Sequence, residues 1–194
     1  MSHKAFYEFS ADTALEKLKE GNKKFVEGTH ASMEISRLLR RHFKENGQHP
    51  YAIIISCSDS RVVPEAIFSA GIGDLFVIRV AGNVIDSHQL GSIEYAAEHL
   101  GTGLVVVLGH TDCGAVGAVL SGHGGGYIDY IAKDIAEAIG EEKDPYRAAC
   151  LNVEHCCKII ENSLQIRKDE EEYGLRVMGA VYDIESGEVS FIKY

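Results

Sequence analysis

Three short runs of β-branched and other apolar residues constrain the fold of this chain more than any other feature of its sequence. They cover residues 51–55, 75–78 and 104–108, and each has the length of a strand. The runs are continuously apolar instead of alternating with polar residues, which is typical of strands buried on both faces of a sheet. Residues 87–101, between the second and third runs, carry apolar side chains at helical spacing. Strands that alternate with helices predict a parallel sheet with right-handed crossovers.

The segments on either side of these runs predict further helices and two more strands. Helical spacing of apolar residues is found in residues 10–28, 33–45, 128–139 and 146–172, and a helix is expected to begin within residues 114–117. Residues 175–182 are predicted to form a fourth strand. A hairpin turn at residues 185–188 would make residues 189–192 an antiparallel edge strand.

The predicted fold class is therefore α/β. We expect a mostly parallel four-stranded sheet flanked by helices, with an antiparallel fifth strand at one edge and an N-terminal helical arm. The chain has 194 residues, which fits a single domain. Within residues 1–194, residues 1–46 would form the helical arm and residues 51–194 the α/β core.

Charge and composition exclude several classes of protein. The formal net charge is −10, which argues against a nucleic-acid partner, because phosphate contacts need clustered Lys and Arg. No apolar run reaches the roughly 18 residues of a membrane-spanning helix, so no membrane partner is predicted. The first nine residues lack the apolar centre of a signal peptide, and we predict a cytoplasmic protein. The spacing of the five cysteines suggests no disulfide framework, and in that compartment cysteines near His and Asp are expected to bind metal or to catalyse.

Two short polar motifs follow the first and third apolar runs. Cys57, Asp59 and Arg61 come directly after the first run, and His110 and Cys113 come directly after the third. In a parallel sheet, ligands bind outside the carboxyl ends of the strands, so the two motifs are expected to converge. Two thiolates and an imidazole form a ligand set that suits zinc. The sequence therefore predicts a zinc ion held by Cys57, His110 and Cys113.

Asp59 decides whether such a site is structural or catalytic. A structural zinc is closed by four protein ligands, whereas a catalytic zinc keeps one position for water. If Asp59 is the fourth metal ligand, the site is closed. If the guanidinium of Arg61 grips the Asp59 carboxylate bidentately, water can bind and Asp59 can orient it. Both arrangements are open at this point, and Asp59 and Arg61 are the predicted catalytic pair.

The remaining cysteines and one loop histidine have simpler interpretations. Cys150, Cys156 and Cys157 lie on a predicted helix, where packing is the expected role. His123 lies in a glycine-rich loop and is interpreted as a loop residue, although an imidazole could carry protons there.

The two motifs together resemble the signatures of the β-class carbonic anhydrases. Residues 57–61 match one signature and residues 110–114 match the other. Similar segments of that family correspond to residues 79–83, 91–95 and 179–183. The resemblance extends over residues 8–192, nearly the whole chain, and its implied fold agrees with the one that the apolar pattern predicts.

The resemblance also implies residue roles. One zinc ion per subunit would be held by the family's Cys, His and Cys ligands, and the Asp–Arg pair would be the catalytic dyad. Gln48 matches a glutamine that points into the partner subunit's site and hydrogen-bonds substrate. Phe76 and Tyr95 match aromatic residues that line a small apolar pocket, and Ala81 falls where some members have Val. Gly114 matches a backbone position beside the metal.

The function implied by the resemblance is the reversible hydration of carbon dioxide to bicarbonate and a proton by zinc-bound hydroxide. The expected enzyme is a carbonic anhydrase, a zinc lyase that forms a homodimer or homotetramer. One alternative keeps the fold and the metal but hydrolyses carbon disulfide or carbonyl sulfide. A second alternative is a structural zinc-binding protein without turnover, whose site Asp59 would close permanently.

Overall fold

The described residues form a five-stranded sheet whose central strands are buried on both faces. The computed structural model describes residues 7–29 and 35–192. The strands are β1 (Ala52–Ser56), β2 (Leu75–Arg79), β3 (Leu104–His110), β4 (Arg176–Tyr182) and β5 (Val189–Ile192). Their order across the sheet is β2-β1-β3-β4-β5. The first four strands pair in parallel and β5 pairs antiparallel to β4, which confirms the predicted fold class.

Helices cover both faces of this sheet. In the described ranges they are α1 (Ala11–Val26), α2 (Arg37–Asn46), α3 (Pro64–Ile67), α4 (Ser87–Leu100), α5 (Gly114–Leu120), α6 (Ile128–Ile139), α7 (Pro145–Glu161) and α8 (Leu164–Tyr173), and a 3₁₀ turn spans Ala81–Asn83. Among the described helices, none combines the length and the apolarity that a membrane crossing requires.

Alternate residues of β1 show how the two faces are filled. Ile53 and Ile55 point into a cluster that includes buried side chains of α4 and α7. Ile54, between them, points to the other face, where Leu18 of α1 and Phe68 complete a second cluster. Burial on both sides is the reason that the apolar runs of the sequence are continuous.

A buried amide ties α1 to the end of the sheet. Asn22 donates hydrogen bonds to the carbonyl oxygens of Ile67, at 3.2 Å, and Gly187, at 2.9 Å. Its own amide oxygen accepts from the backbone N–H of Val189 at 2.9 Å. One side chain thus joins α1, the end of α3 and the hairpin that leads into β5.

The structure corrects the predicted helix over residues 146–172, which is two helices. α7 ends at Glu161 and α8 begins at Leu164. Ser163 interrupts the helical pattern, because its side chain accepts a hydrogen bond from the N–H of Ile166 and so caps α8. Apolar spacing alone does not reveal such a break, since it continues through both helices.

Two other boundaries differ from the sequence prediction. β3 is longer than residues 104–108, because Gly109 and His110 continue the parallel pairing with β4. His110 is therefore the last residue of a strand and not part of the loop after it. α2 begins at Arg37, because the Ser36 side chain caps it by accepting from the N–H of Leu39, and the predicted start at Met33 lies outside the described residues. Leu38 of this helix is 80% exposed.

Two glycines inside helices provide a matched test of the packing of α1. Gly21 faces the backbone of Phe68, and a Cβ at this position would overlap the Phe68 carbonyl oxygen. We expect Gly21→Ala to lower the free energy of unfolding by about 2–3 kcal/mol, because backbone cannot move aside cheaply. Gly91 of α4 has no described atom within 4 Å of such a Cβ. Gly91→Ala should stabilise by about 0.5–1 kcal/mol through helix propensity. Urea unfolding of both variants checks this, and equal effects would contradict it.

Candidate metal centre

Three buried side chains bring two sulfur atoms and one imidazole nitrogen together at the carboxyl edge of the sheet. Cys57 follows β1, His110 ends β3, and Cys113 precedes the first residue of α5. Their ligand atoms all lie within 4.8 Å of one another. In residues 7–29 and 35–192 this is the one group of His, Cys, Asp or Glu side chains compact enough to share a metal ion. These are the residues that the two sequence motifs predicted.

Backbone and arginine contacts fix the loop that carries Cys57. The Arg79 side chain at the end of β2 donates to the carbonyl oxygens of Cys57, at 3.1 Å, and of Asp59, at 2.7 Å. The backbone N–H of Gly82 donates to Cys57 Sγ at 3.2 Å. The sulfur therefore has a defined direction before any ion binds.

His110 is held in the tautomer that a metal ligand requires. Its Nδ1 lies 2.8 Å from the carbonyl oxygen of Thr111. Because a carbonyl oxygen only accepts, Nδ1 carries the proton and Nε2 keeps its lone pair. Nε2 is fully buried and has no hydrogen-bond partner in the described part of the chain. A buried nitrogen without a partner is the strongest sign that this site fits a cation.

The two thiols share one negative charge. A hydrogen bond from the Cys113 thiol lowers the pKa of Cys57, although burial opposes the shift. That same hydrogen bond, together with burial, raises the pKa of Cys113, and the backbone N–H groups of Val116 and Ala115 oppose this rise. This hydrogen bond therefore favours ionisation of Cys57 over ionisation of Cys113. A bound cation would favour the second thiolate, because metal coordination deprotonates thiols.

The donor set fits zinc. Two sulfurs and one imidazole nitrogen are ligands that Zn²⁺ prefers, and three protein ligands are the number found in catalytic zinc sites. Groups that orient the ligands are also present, since the Thr111 carbonyl orients His110 and the Gly82 N–H orients Cys57.

Asp59 lies beside the three ligand atoms and is gripped by Arg61. The guanidinium donates from Nε to Oδ1 at 3.0 Å and from Nη2 to Oδ2 at 2.8 Å, and the Arg61 backbone N–H also donates to Oδ1. These contacts hold the pKa of Asp59 well below its usual range, with the Arg61 side chain as the main cause. Oδ2 is 4.0 Å from His110 Nε2. An ionised carboxylate therefore faces the metal position with Arg61 holding both oxygens.

Arg61 also connects the two motifs. Its Nη2 donates to the backbone carbonyl of Asp112 at 3.1 Å, so one guanidinium contacts the loop after β1 and the loop after β3. Asp112 adopts a φ of 54°, in the left-handed region that Asp tolerates better than most residues. Arg61 thereby holds the relative position of the loops that carry Cys57 and Cys113.

Two of the five predicted substrate-binding residues lie next to the ligand atoms. Ala81 immediately precedes Gly82, whose N–H contacts Cys57 Sγ. Gly114 immediately follows Cys113 at the start of α5, and no described atom would lie within 4 Å of a Cβ there. Gly114 thus leaves room beside Cys113.

The other three predicted substrate-binding residues lie away from this chain's own ligand atoms. Phe76 pairs with Ile53, which is four residues before Cys57 along β1, or about 13 Å at the rise of a strand. The Phe76 and Tyr95 rings contact each other, with centroids 6.3 Å apart. Gln48 is exposed and precedes β1, at the end of that strand opposite to Cys57. This chain alone does not bring Gln48, Phe76 and Tyr95 to the metal position.

The groups that orient the ligands could not be identified from the sequence. Thr111 and Gly82 act through backbone atoms, which any residue carries. Gly82 has a φ of 69°, but the φ of a residue cannot be read from the sequence. Cys150, Cys156 and Cys157 are buried in the core, in agreement with packing.

The chain has clear similarity to known proteins. Residues 52–189 match the family model described as carbonic anhydrase. Carbonic anhydrase 2 of Mycobacterium tuberculosis is 46% identical over 129 residues, which are 63% of this chain and 61% of that protein. The match therefore spans less than two thirds of that relative's length. The carbonic anhydrase of Mycolicibacterium smegmatis is 38% identical over 186 residues, covering 89% of this chain and 88% of the relative.

A solved structure shows the same fold. It belongs to a study of two tetrameric β-carbonic anhydrases from the filamentous ascomycete Sordaria macrospora, with a TM-score of 0.72 and 34% identity. The superposition covers 81% of this chain and 89% of the other.

Serine substitutions test the predicted ligand set. We expect Cys57→Ser and Cys113→Ser to reduce the zinc content of the purified protein well below one ion per chain, because a hydroxyl is a poor ligand at neutral pH. Cys150→Ser replaces another buried cysteine outside the group and should keep the zinc content. Elemental analysis by mass spectrometry measures the content. Equal zinc loss in all three variants would contradict the assignment.

Proposed function

Because the chain belongs to the β-carbonic anhydrase family, we propose that it catalyses the reversible hydration of carbon dioxide to bicarbonate and a proton. Cys57, His110 and Cys113 would hold one zinc ion per subunit. The observation that carries this proposal is the unpartnered, buried His110 Nε2 between two thiols, with the Asp59–Arg61 pair beside it. When bound, zinc supplies Lewis acidity, which lowers the pKa of water toward neutrality.

Asp59 has the charge and the position to orient the attacking water. It is ionised at neutral pH, because Arg61 lowers its pKa, and Oδ2 lies near the ligand atoms. A carboxylate that stays ionised accepts a hydrogen bond and donates none. It would therefore accept the O–H of the water, leaving the oxygen lone pair directed at the carbon of the substrate. The carboxylate takes no part in bonding to carbon.

Arg61 keeps Asp59 available for this role. The guanidinium satisfies both carboxylate oxygens in a bidentate arrangement, which is the strongest form of this ion pair. While Arg61 binds both oxygens, Asp59 is less available to coordinate the metal. We therefore propose that Asp59 orients water while Arg61 holds it and that Asp59 becomes a fourth ligand when Arg61 releases it.

The substrate pocket would be completed by a second copy of the chain. Gln48 and Phe76 lie toward the other end of the strands from this chain's ligand atoms, and Tyr95 contacts Phe76. We therefore propose that these residues line the pocket of another copy. Tyr95 is 46% exposed and Gln48 is exposed, which leaves both accessible to a partner. An apolar wall and one amide suit a small, uncharged, linear substrate. The proposed assembly is a homodimer or homotetramer.

Substitution of Arg61 tests the proposed dyad. We expect Arg61→Ala to lower kcat/KM for carbon dioxide hydration by about 10- to 100-fold, the usual effect of losing a group that orients a metal site. Zinc content should stay unchanged, because Arg61 is not a ligand. Stopped-flow hydration of the zinc-loaded protein measures the rate, with carbonyl sulfide hydrolysis measured in parallel.

Arg176→Ala is the matched control. It removes another surface Arg–Asp pair, Arg176 with Asp12 at 2.7 Å, remote from the ligand atoms in the described structure. This control should keep full activity. Unchanged turnover in Arg61→Ala would contradict the role of the dyad. No hydration by the zinc-loaded wild type at any pH would favour a structural zinc protein.

A further inference from the structure

The 3₁₀ turn that contacts Cys57 contains two consecutive residues in the left-handed region. Gly82 has a φ of 69° and Asn83 a φ of 48°. This backbone shape points the Gly82 N–H at Cys57 Sγ, at 3.2 Å. Asn tolerates this region better than most non-glycine residues, but the carbonyl groups of a buried turn still need hydrogen-bond partners.

Two side chains of α7 provide those partners. Asn152 Nδ2 donates to the carbonyl oxygen of Gly82 at 2.8 Å. Cys156, one helical turn later, donates its S–H to the carbonyl oxygen of Asn83 at 3.4 Å. Both side chains are 1% exposed. One face of α7 therefore binds the two successive carbonyl groups of the turn.

The contact with Gly82 uses the NH₂ group of the Asn152 amide and not its oxygen. The Gly82 carbonyl only accepts, so the atom that faces it must be the NH₂ group. The amide oxygen of Asn152 is then buried without a hydrogen-bond partner in the described part of the chain, as is Asn83 Nδ2. A buried polar atom without a partner is unfavourable, so an apolar residue would suit packing better. Packing alone does not explain an amide at this position.

We propose that Asn152 is a positioning residue for the metal ligand Cys57. Asn152 acts through Gly82. Its amide binds the Gly82 carbonyl and so fixes the orientation of the Gly82 backbone, which keeps the Gly82 N–H directed at Cys57 Sγ. An N–H donor fixes the direction of a thiolate lone pair and withdraws charge from the sulfur. The inference rests on the proposed function, since it requires that the Cys57, His110 and Cys113 group binds metal.

The test compares Asn152→Leu with Asn22→Leu, using Zn²⁺ and Co²⁺ as probes. Leu has the same number of side-chain heavy atoms as Asn and the same branching, but no hydrogen-bond donor. Asn22 is the other buried amide that ties elements together through carbonyl groups, and it lies on α1, away from the ligand group. We expect Asn152→Leu to weaken zinc binding about tenfold, measured by competition with a chromophoric chelator. The thiolate-to-cobalt charge-transfer band should move to longer wavelength, because the sulfur loses its N–H donor. Asn22→Leu should change neither.

Each outcome decides the proposal. It is overturned if Asn152→Leu binds zinc within about twofold of the wild type with an unshifted cobalt band, a range well inside the usual effect of an orienting group. Equal shifts in Asn22→Leu would also overturn it, since the cause would then be a general loosening. If Asn152→Leu does not fold, Cys156→Ala removes the weaker contact to the same turn and should shift the band in the same direction by less. Failure of the wild type to bind Zn²⁺ or Co²⁺ would instead refute the proposed function.

Discussion

Parallel pairing of β1 with β3 is the interaction on which the rest of the molecule depends. Ser56 pairs with Leu108, so Cys57 and His110 leave the same edge of the sheet although 53 positions separate them. The pairing is buried on both faces, which makes a shift in register unfavourable. A slip of one residue would turn the side chains of β1 to the opposite faces and would separate the thiol from the imidazole.

The elements that could be predicted from sequence are those whose signal is local. Continuous apolar runs identified β1, β2 and β3. Burial on both faces explains the runs of β1 and β3, whereas β2 lies at the edge of the sheet and is only partly buried. Cys57, His110 and Cys113 could be predicted because the carboxyl ends of parallel strands meet at one edge. Their chemistry suits zinc, and the described residues contain a single compact group of this kind.

The features that could not be predicted depend on backbone atoms or on distant parts of the chain. Ser163 ends one helix and caps another, but its effect is invisible in an apolar pattern that continues past it. Asn152 reaches a turn 70 positions earlier, and no spacing rule connects the two. Gln48 precedes β1 and Phe76 lies near the start of β2, both away from Cys57. The role proposed for them requires a second copy, which one chain's sequence does not describe.

The hydrogen bonds of the Asn22 amide join a helix to a strand that is synthesised much later. Its bond to Val189 spans 167 positions, so a helix near the beginning of the chain is fastened by a strand near its end. During synthesis α1 leaves the ribosome long before β5 exists, at a rate of about 5–20 residues per second. For several seconds the amide has no native carbonyl or N–H to bind in the hairpin. β5 therefore does more than extend the sheet: its arrival secures a helix that was made 167 positions earlier.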